Sequence, residues 1–573
     1  MNRNRLLSAI IVGSIATEVL LIVQEGFRFA DVQLLPYLTY SVALLTLAIN
    51  ILYDIDELRA SDDRTRYLRA VAVEWLLFVP IIATVTQPVL FGFFVWVRQF
   101  LVLVRLLLNT GWGHRLMHRM QTRPTTMLVY SFVLIIGIGT ILLTFRSATT
   151  DHRGATLVDA LFTATSATCV TGLIVLNTND DAERNPRLQS YSLFGQFVIL
   201  LLIQVGGLGI MTLSTAVTLL LGNRLKLRSR HAITQVISDD PEEDMERILK
   251  YIFKMTFVTE GIGSIILFVK FQAYFHDVNR AAYYAIFHSV SAFCNAGFAL
   301  FGDSLCHFRG DWTINLTISA LITLGGLGFA VVSALFSTDA LRRPRMHWQR
   351  VGVHVKLVVS VSAILIALGT VVYFFADYYH SLKGLPLHEK LLASFFQSVT
   401  LRTCGFNTVE LGGVHRVTLV VMVVLMFIGA SPGGTGGGVK TSTLGVVLLS
   451  VRAMMIGRDE VELMGRTIPK KVVYKALSIL VISFMILNIF MILLLFTQPH
   501  LTFLQLLFEA VSALGTVGLS LGITSELTTS GKIIITFLMF VGRIGPLTLA
   551  LAVGESRDEF VDYQYPEGKI IVG

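Results

Sequence analysis

The chain has 573 residues, 54% of them hydrophobic and only 15% charged, against about 25% charged in a soluble protein. Apolar runs recur from residue 7 to residue 553 and the mean hydropathy is +0.69, which excludes a soluble enzyme, a disordered chain and a disulfide-stapled secreted scaffold. The net charge of +8 then belongs to cytoplasmic loops rather than to a nucleic-acid-binding face.

The runs are continuously apolar over roughly 18–25 residues, long enough for helices to cross a bilayer and unlike the alternating ~10-residue strands of a barrel. An all-α polytopic membrane protein is expected. The basic lead and apolar run at residues 1–23 lack a small-residue cleavage site, so they predict a retained first helix. Cys169, Cys294, Cys306 and Cys404 are too few and scattered for a disulfide or zinc framework.

Residues 1–112 read as a four-helix transmembrane module, with apolar segments near 7–24, 36–53, 69–88 and 91–109. Arg98 and Arg105 lie seven residues apart, on one helix face, and Glu18 and Glu74 fall inside earlier spans where they could neutralise them. The layout is similar to a voltage sensor, but such sensors carry an arginine at every third residue. Two arginines seven apart favour a packing or dimer-forming bundle with paired charges. A basic cytoplasmic linker follows at 113–124, with His114, Arg115, His118, Arg119 and Arg123 before Pro124.

One pattern then repeats four times, over 125–225, 226–345, 346–470 and 471–573. A long apolar helix leads through a polar loop to a short half-apolar segment ending in glycine, and a second long helix follows. The short segments are 163–173, 289–298, 398–406 and 510–519, with aligned glycines Gly172, Gly297, Gly405 and Gly518. Ser166, Ser291 and Ser512 stand six residues before their glycines, and Thr400 five before Gly405. Basic clusters precede the first helix of each copy: Arg115/Arg119/Arg123, Arg224/Lys226/Arg228/Arg230, Arg342/Arg343/Arg345/Arg350 and Lys470/Lys471/Lys475. By the positive-inside rule these ends, and both termini, are cytoplasmic. Each copy crosses outward, dips back through its short segment and crosses inward again.

Irregular backbone at membrane depth survives only where protein or water satisfies it. Four such loops around one axis would aim carbonyls at a shared lumen, and carbonyl rings replace the hydration shell of a monovalent cation. Glycine reaches the backbone angles this needs. No carboxylate lies in these stretches, which argues against a divalent-cation ring. The half-helices also aim their negative C-terminal dipole ends inward. The predicted lining is Cys169, Val170, Thr171 and Gly172; Cys294, Asn295, Ala296 and Gly297; Arg402, Thr403, Cys404 and Gly405; and Gly515, Thr516, Val517 and Gly518, through backbone rather than side chains. The simpler alternative is that small residues only let helices pack closely. Four copies in the same frame favour the pore.

From about residue 124 onward the chain resembles the membrane subunit of the Ktr/Trk/HKT superfamily of potassium transporters. Thr516-Val517-Gly518 is also similar to a potassium-channel filter. The resemblance implies a pseudo-fourfold pore of four helix–loop–helix repeats, potassium uptake and a homodimer in the plasma (inner) membrane. Members with serine in the first loop lean toward sodium; here that position is Gly172.

A second feature, residues 428–441, interrupts the second long helix of the third copy. Pro432 and six glycines cannot continue a helix cheaply. Gly433 and Gly438 have nucleotide-loop spacing, but Val439 intrudes before Lys440 and no strand precedes, so an ATP site is excluded. The resemblance makes 429–441 an intramembrane gating loop built on Gly433, Gly434, Gly436, Gly437 and Gly438. Lys440 is then a group repelling cations or a latch, with snorkelling to the interface as the alternative. Arg543 inside the last long helix is expected to donate to carbonyls of 429–438, the alternative being a pair with Glu509. Arg402 is expected at the outer mouth. The Gly-Gly-Leu-Gly runs at 206–209 and 325–328 read as helix-packing sites and the cysteines at the loops as small core residues.

There is no long soluble stretch for a nucleotide domain. The resemblance therefore implies a separate cytosolic ring of RCK-type regulatory subunits carrying the nucleotide, with potassium as transported substrate and no covalent cofactor. A sodium-selective or sodium-coupled carrier on the same scaffold is the alternative. His288 and Glu509 occupy matching half-helix positions, but no nucleophile–base or metal spacing surrounds them, so a membrane enzyme is not expected.

Overall fold

The computed structural model describes residues 9–17, 20, 35–60, 95, 98–99, 102, 124–178, 189–209, 245–336 and 351–553. Near the start, helical segment 9–17, α1 (Leu35–Ala60) and Val102 pack together through Ile10, Tyr53 and Ile49. Ser14 Oγ donates to Gln99 Oε1 at 3.0 Å. Arg98 is fully buried there and has a partner. Glu18, Glu74 and Arg105 lie outside the described residues, as do the basic stretches at 113–123, 224–230 and 342–350.

Four similar units follow. The first is α2 (Pro124–Leu143), α3 (Leu157–Thr168) and α4 (Leu193–Leu208). The second is α5 (Met245–Phe275), α6 (Val278–Phe293), α7 (Trp312–Leu327) and α8 (Phe329–Leu335). The third is α9 (Val353–Ala376), α10 (Leu387–Thr400), α11 (Arg416–Phe427) and α12 (Thr441–Met455). A short antiparallel hairpin, β1 (Val461–Leu463) with β2 (Arg466–Ile468), leads to the fourth: α13 (Lys470–Thr497), α14 (Phe503–Gly515), α15 (Thr529–Ile544) and α16 (Pro546–Val553).

Helices α5, α9 and α13 are long and apolar enough to cross a membrane. They turn Ile265, Phe375 and Phe484 outward. The short helices α3, α6, α10 and α14 have 12, 16, 14 and 13 residues. At 1.5 Å per residue they reach about 18–24 Å, short of the ~30 Å hydrocarbon core. Their N-termini are capped where the sequence allows. Thr156 Oγ1 accepts from Asp159 N at 3.2 Å, Asp277 caps α6, and Thr502 with Gln505 forms a capping box on α14. They bury polar residues, among them Thr163, Ser166, Ser291, Thr400 and Ser512. Apolar outside and hydroxyl-rich inside is the distribution of a protein that lipid surrounds.

The second helices depart from the expected long continuous spans. Helix α4 ends at Gly209, α7 at Gly328 and α15 at Gly545, each with φ between +79° and +93°. In the second unit the chain turns by 111° there, into α8. Three residues earlier stand Gly206, Gly325 and Gly542, where a side chain would run into the carbonyls of Thr168, Phe293 and Leu514 at the ends of the short helices. The Gly-x-x-Gly spacing thus does two things: close packing at its first glycine, and a break at its second that only glycine adopts freely. In the third unit the break is the whole stretch 428–440 between α11 and α12.

The units close on one another. Helix α4 packs on α6, α7 on α10, α11 on α14, and α15 back on α3. Two ion pairs reinforce this: Arg309–Glu389 at 3.3 Å joins the second unit to the third, and Lys532–Asp159 at 2.6 Å joins the fourth to the first. Both acids lie in the first turn of a short helix, where the helix dipole favours them.

Candidate ion pathway

The four short helices deliver their C-termini to one place, and there the backbone repeats itself. Two residues before each aligned glycine a non-glycine residue has positive φ: Val170 at +53°, Asn295 at +59°, Thr403 at +72° and Thr516 at +52°. The glycines follow at +91°, +70°, +94° and +88°. Left-handed residues alternating with ordinary ones turn successive carbonyls to the same side of the chain, and a strain repeated four times marks a functional constraint.

The glycines also interlock. A side chain at Gly172 would strike the Ala296 carbonyl, at Gly297 that of Cys404, at Gly405 that of Val517, and at Gly518 that of Thr171. Each blocking carbonyl immediately precedes the next unit's glycine, so the four loops form a closed ring. All four glycines line one side of a cavity of about 790 Å³, with Asp303, Glu410, Ser520 and Thr524 around it.

The hydroxyls singled out by position have a concrete task. Ser166 Oγ accepts from Gly172 N at 3.1 Å and donates to Leu173 O at 2.7 Å. Ser512 Oγ accepts from Gly518 N, and Thr400 Oγ1 from Gly405 N, both at 3.1 Å. Ser291 Oγ donates to Phe298 O at 2.8 Å. These bonds pin each loop to its own short helix. The threonine of the third unit reaches its glycine from one residue nearer.

His288 and Glu509 brace the segments beyond the glycines. His288 Nε2 accepts from Leu300 N at 3.3 Å, and Glu509 accepts from Ser520 Oγ at 2.8 Å and from Thr524 Oγ1. No ion pair among the described residues joins Glu509 to Arg543. Behind the second loop, Glu260 accepts from Gln204 Nε2 at 3.2 Å and from the Cys294 thiol at 3.8 Å. The sequence reading did not single out Glu260; a lone carboxylate inside an apolar span was the available signal. Cys169, Cys294 and Cys404 are buried and unpaired, and Cys306 is half-buried.

On the other side of the ring, away from the cavity, sits the irregular stretch. A single parallel bridge joins Ile428 to Val439 and folds it back on itself. Gly437 N donates to Thr516 Oγ1 at 2.9 Å, and a side chain at Gly436 would collide with Thr403. Ser431 N and Thr435 N donate to the carbonyls of Gly326 and Gly325, at 2.9 and 3.0 Å. Gly438 N donates to Gly542 O at 3.3 Å. The stretch thus takes up the backbone groups that the Gly-x-x-Gly breaks release. Thr435 is tied at three atoms: besides its N–H, its hydroxyl donates to Phe293 O at 3.1 Å, and its carbonyl accepts from Arg543. Gly433 and Gly438 have positive φ, and Gly434 sits against the carbonyls of Gly325 and Gly326.

Three cations face this stretch. Arg543 donates to Thr435 O and to Gly206 O. Lys440 Nζ donates to Gly436 O at 2.8 Å, so it turns back onto the stretch rather than reaching for an interface. Arg402 corrects the expectation. Its guanidinium is not at the cavity mouth but on the opposite side, donating to Gly429 O at 3.0 Å. The physical reason is its place at the C-terminal end of α10, one residue before the left-handed Thr403.

Comparison with known proteins agrees with this architecture. A family model described as TrkH, cation transport protein, matches residues 67–562, beginning inside the segment read as an added module. The Ktr system potassium uptake protein B of Bacillus subtilis is 36% identical over 452 residues, covering 78% of this chain and 97% of that protein. Its counterpart in Vibrio alginolyticus is 37% identical over 422 residues, 73% of this chain and 89% of that one. The potassium/sodium uptake protein NtpJ of Enterococcus hirae is 33% identical, over 79% and 98%. The crystal structure of the potassium transporter TrkH from Vibrio parahaemolyticus superposes with a TM-score of 0.62 at 18% identity, over 86% of this chain and 97% of that one, a likeness of fold.

Proposed function

The chain belongs to the TrkH family of cation transport proteins, a family of transporters and not of enzymes, and on that premise we propose that it carries potassium into the cell. The observation that carries this reading is the interlocked ring of four glycine loops with alternating left-handed residues. Potassium sheds water at the cavity, which faces outward. Asp303 and Glu410 make that mouth attractive to cations. The carbonyls of the filter, Cys169–Gly172, Cys294–Gly297, Arg402–Gly405 and Gly515–Gly518, then replace its hydration shell. Like the matched uptake proteins B by name, this chain would serve a potassium uptake system.

The stretch 429–441 is the gate in this reading. It lies against Thr403 and Thr516 at the inner end of the filter, and Arg543, Lys440 and Arg402 add positive charge where a cation would have to pass. Opening means withdrawing it, under control of a cytosolic nucleotide-binding ring docked on the cytoplasmic face of a homodimer. The termini are cytoplasmic. Sodium passage is the second reading, favoured by the potassium/sodium name of one matched protein.

The test is potassium and sodium flux into proteoliposomes, with the full chain and with residues 433–438 deleted. Potassium-selective flux that rises on deletion supports both filter and gate. Equal sodium and potassium flux through the deleted form would remove the potassium reading. A deleted form that conducts no better than the intact chain would remove the gate.

A further inference from the structure

Apart from the backbone it lends to the filter loop, Arg402 figures in the function described so far only as one positive charge among three. Its surroundings say more. It is 8% exposed, at membrane depth, and its Nη2 donates to Gly429 O at 3.0 Å. Its Nε and Nη1 have no partner among the described residues. No ion pair among the described residues includes it. A buried guanidinium resting on one carbonyl is costly unless that bond matters.

The carbonyl is well chosen. Gly429 is where the stretch leaves α11 and folds back, its N–H donating to Val439 O at 2.8 Å. The other bonds of the stretch reach the second and fourth units: Gly325, Gly326 and Phe293 on one side, Thr516, Gly542 and Arg543 on the other. Among the described residues, Arg402 alone ties it by a hydrogen bond to the short helix and filter loop of its own unit. The main chain joins the two directly, because Arg402 precedes Thr403.

We propose that Arg402 is a positioning residue that holds the gate shut from the filter side. Withdrawal of the stretch takes the Gly429 carbonyl from a buried guanidinium, which stores a bias toward the closed form. This rests on the stretch 429–441 being the gate. A hydrogen bond from a charged donor, once lost, shifts such an equilibrium by about tenfold or more.

The experiment is potassium flux into proteoliposomes, without any cytosolic subunit, for Arg402→Met, Arg402→Lys, the 433–438 deletion, and the deletion combined with Arg402→Met. Arg402→Met removes the donor at similar length, and its flux should rise roughly tenfold. Arg402→Lys keeps the charge but not the planar reach, and should rise less. In the deleted background Arg402→Met should add nothing, because the stretch that the Arg402–Gly429 bond holds in place no longer blocks the path. If deletion raises flux and Arg402→Met does not, the inference fails and the gate stands. If Arg402→Met raises flux equally in both backgrounds, the residue acts on the ion directly and the inference fails. If deletion itself changes nothing, the gate reading fails and takes this inference with it. Should Arg402→Met not fold, Arg402→Lys alone and combined with the deletion gives the same comparison, and its unchanged flux in the intact chain would overturn the proposal.

Discussion

Replacing Gly405 by serine is the sharpest perturbation of the proposed filter. Gly405 has φ of +94°, and a side chain there would stand 2.6 Å from Val517 O and 3.1 Å from Gly518 Cα of the neighbouring loop. A serine at that angle is strained by about 1–3 kcal/mol, before any overlap with the carbonyl. The blocking atoms are backbone, so nothing flexible can yield cheaply. Relief comes by moving the Val517 carbonyl or the Gly405 backbone, both parts of the ring. Since about 1.4 kcal/mol is tenfold in an equilibrium, displacement on this scale should reduce the preference for potassium over sodium by about tenfold or more. The assay is potassium and sodium uptake by proteoliposomes carrying Gly405→Ser. Gly413→Ser is the control, because that position has no positive φ and a side chain there would meet no atom within 4 Å. A Gly405→Ser protein that keeps the rate and selectivity of the original would refute the carbonyl-ring reasoning.

Ser512→Ala should leave Gly518 N without its acceptor at 3.1 Å, a loss of about 1–3 kcal/mol, read as a lower melting temperature and weaker potassium selectivity. Lys532→Met should lower the melting temperature by breaking the 2.6 Å pair with Asp159, whose side chains are only 15% and 13% exposed; about 1–3 kcal/mol is expected after allowing for that exposure, and an unchanged melt would argue that the closing contact is idle. Gly325→Ala should destabilise the fold because its side chain meets the Phe293 carbonyl, whereas Gly137→Ala, with open space around it, should be silent in the same thermal melt.

Much of the candidate site was legible because a loop geometry that recurs four times is written into the chain four times. The aligned Gly172, Gly297, Gly405 and Gly518 could be found by spacing, and so could the hydroxyls before them. The role of those hydroxyls could not, since a serine on a short helix looks alike whether it faces its own loop or a neighbour. The Gly-x-x-Gly breaks were present as text at 206–209, 325–328 and 542–545, yet the first two read as packing alone. A local pattern does not say whether a glycine is wanted for its missing side chain or for its positive φ. Arg402 was misplaced because the expectation used its neighbourhood along the chain, not the direction of its side chain.

By itself the sequence determined the helical membrane class, the four units and the interrupted stretch, because hydropathy, length and glycine spacing act locally and the bilayer enforces them. Only the tertiary structure decided what meets what: which carbonyl each of the four aligned glycines leans on, that Arg402, Lys440 and Arg543 converge on one irregular stretch, and that Asp159 finds Lys532 373 residues away. Those contacts come from closing four units into a ring, a global condition that no single unit carries in its own residues.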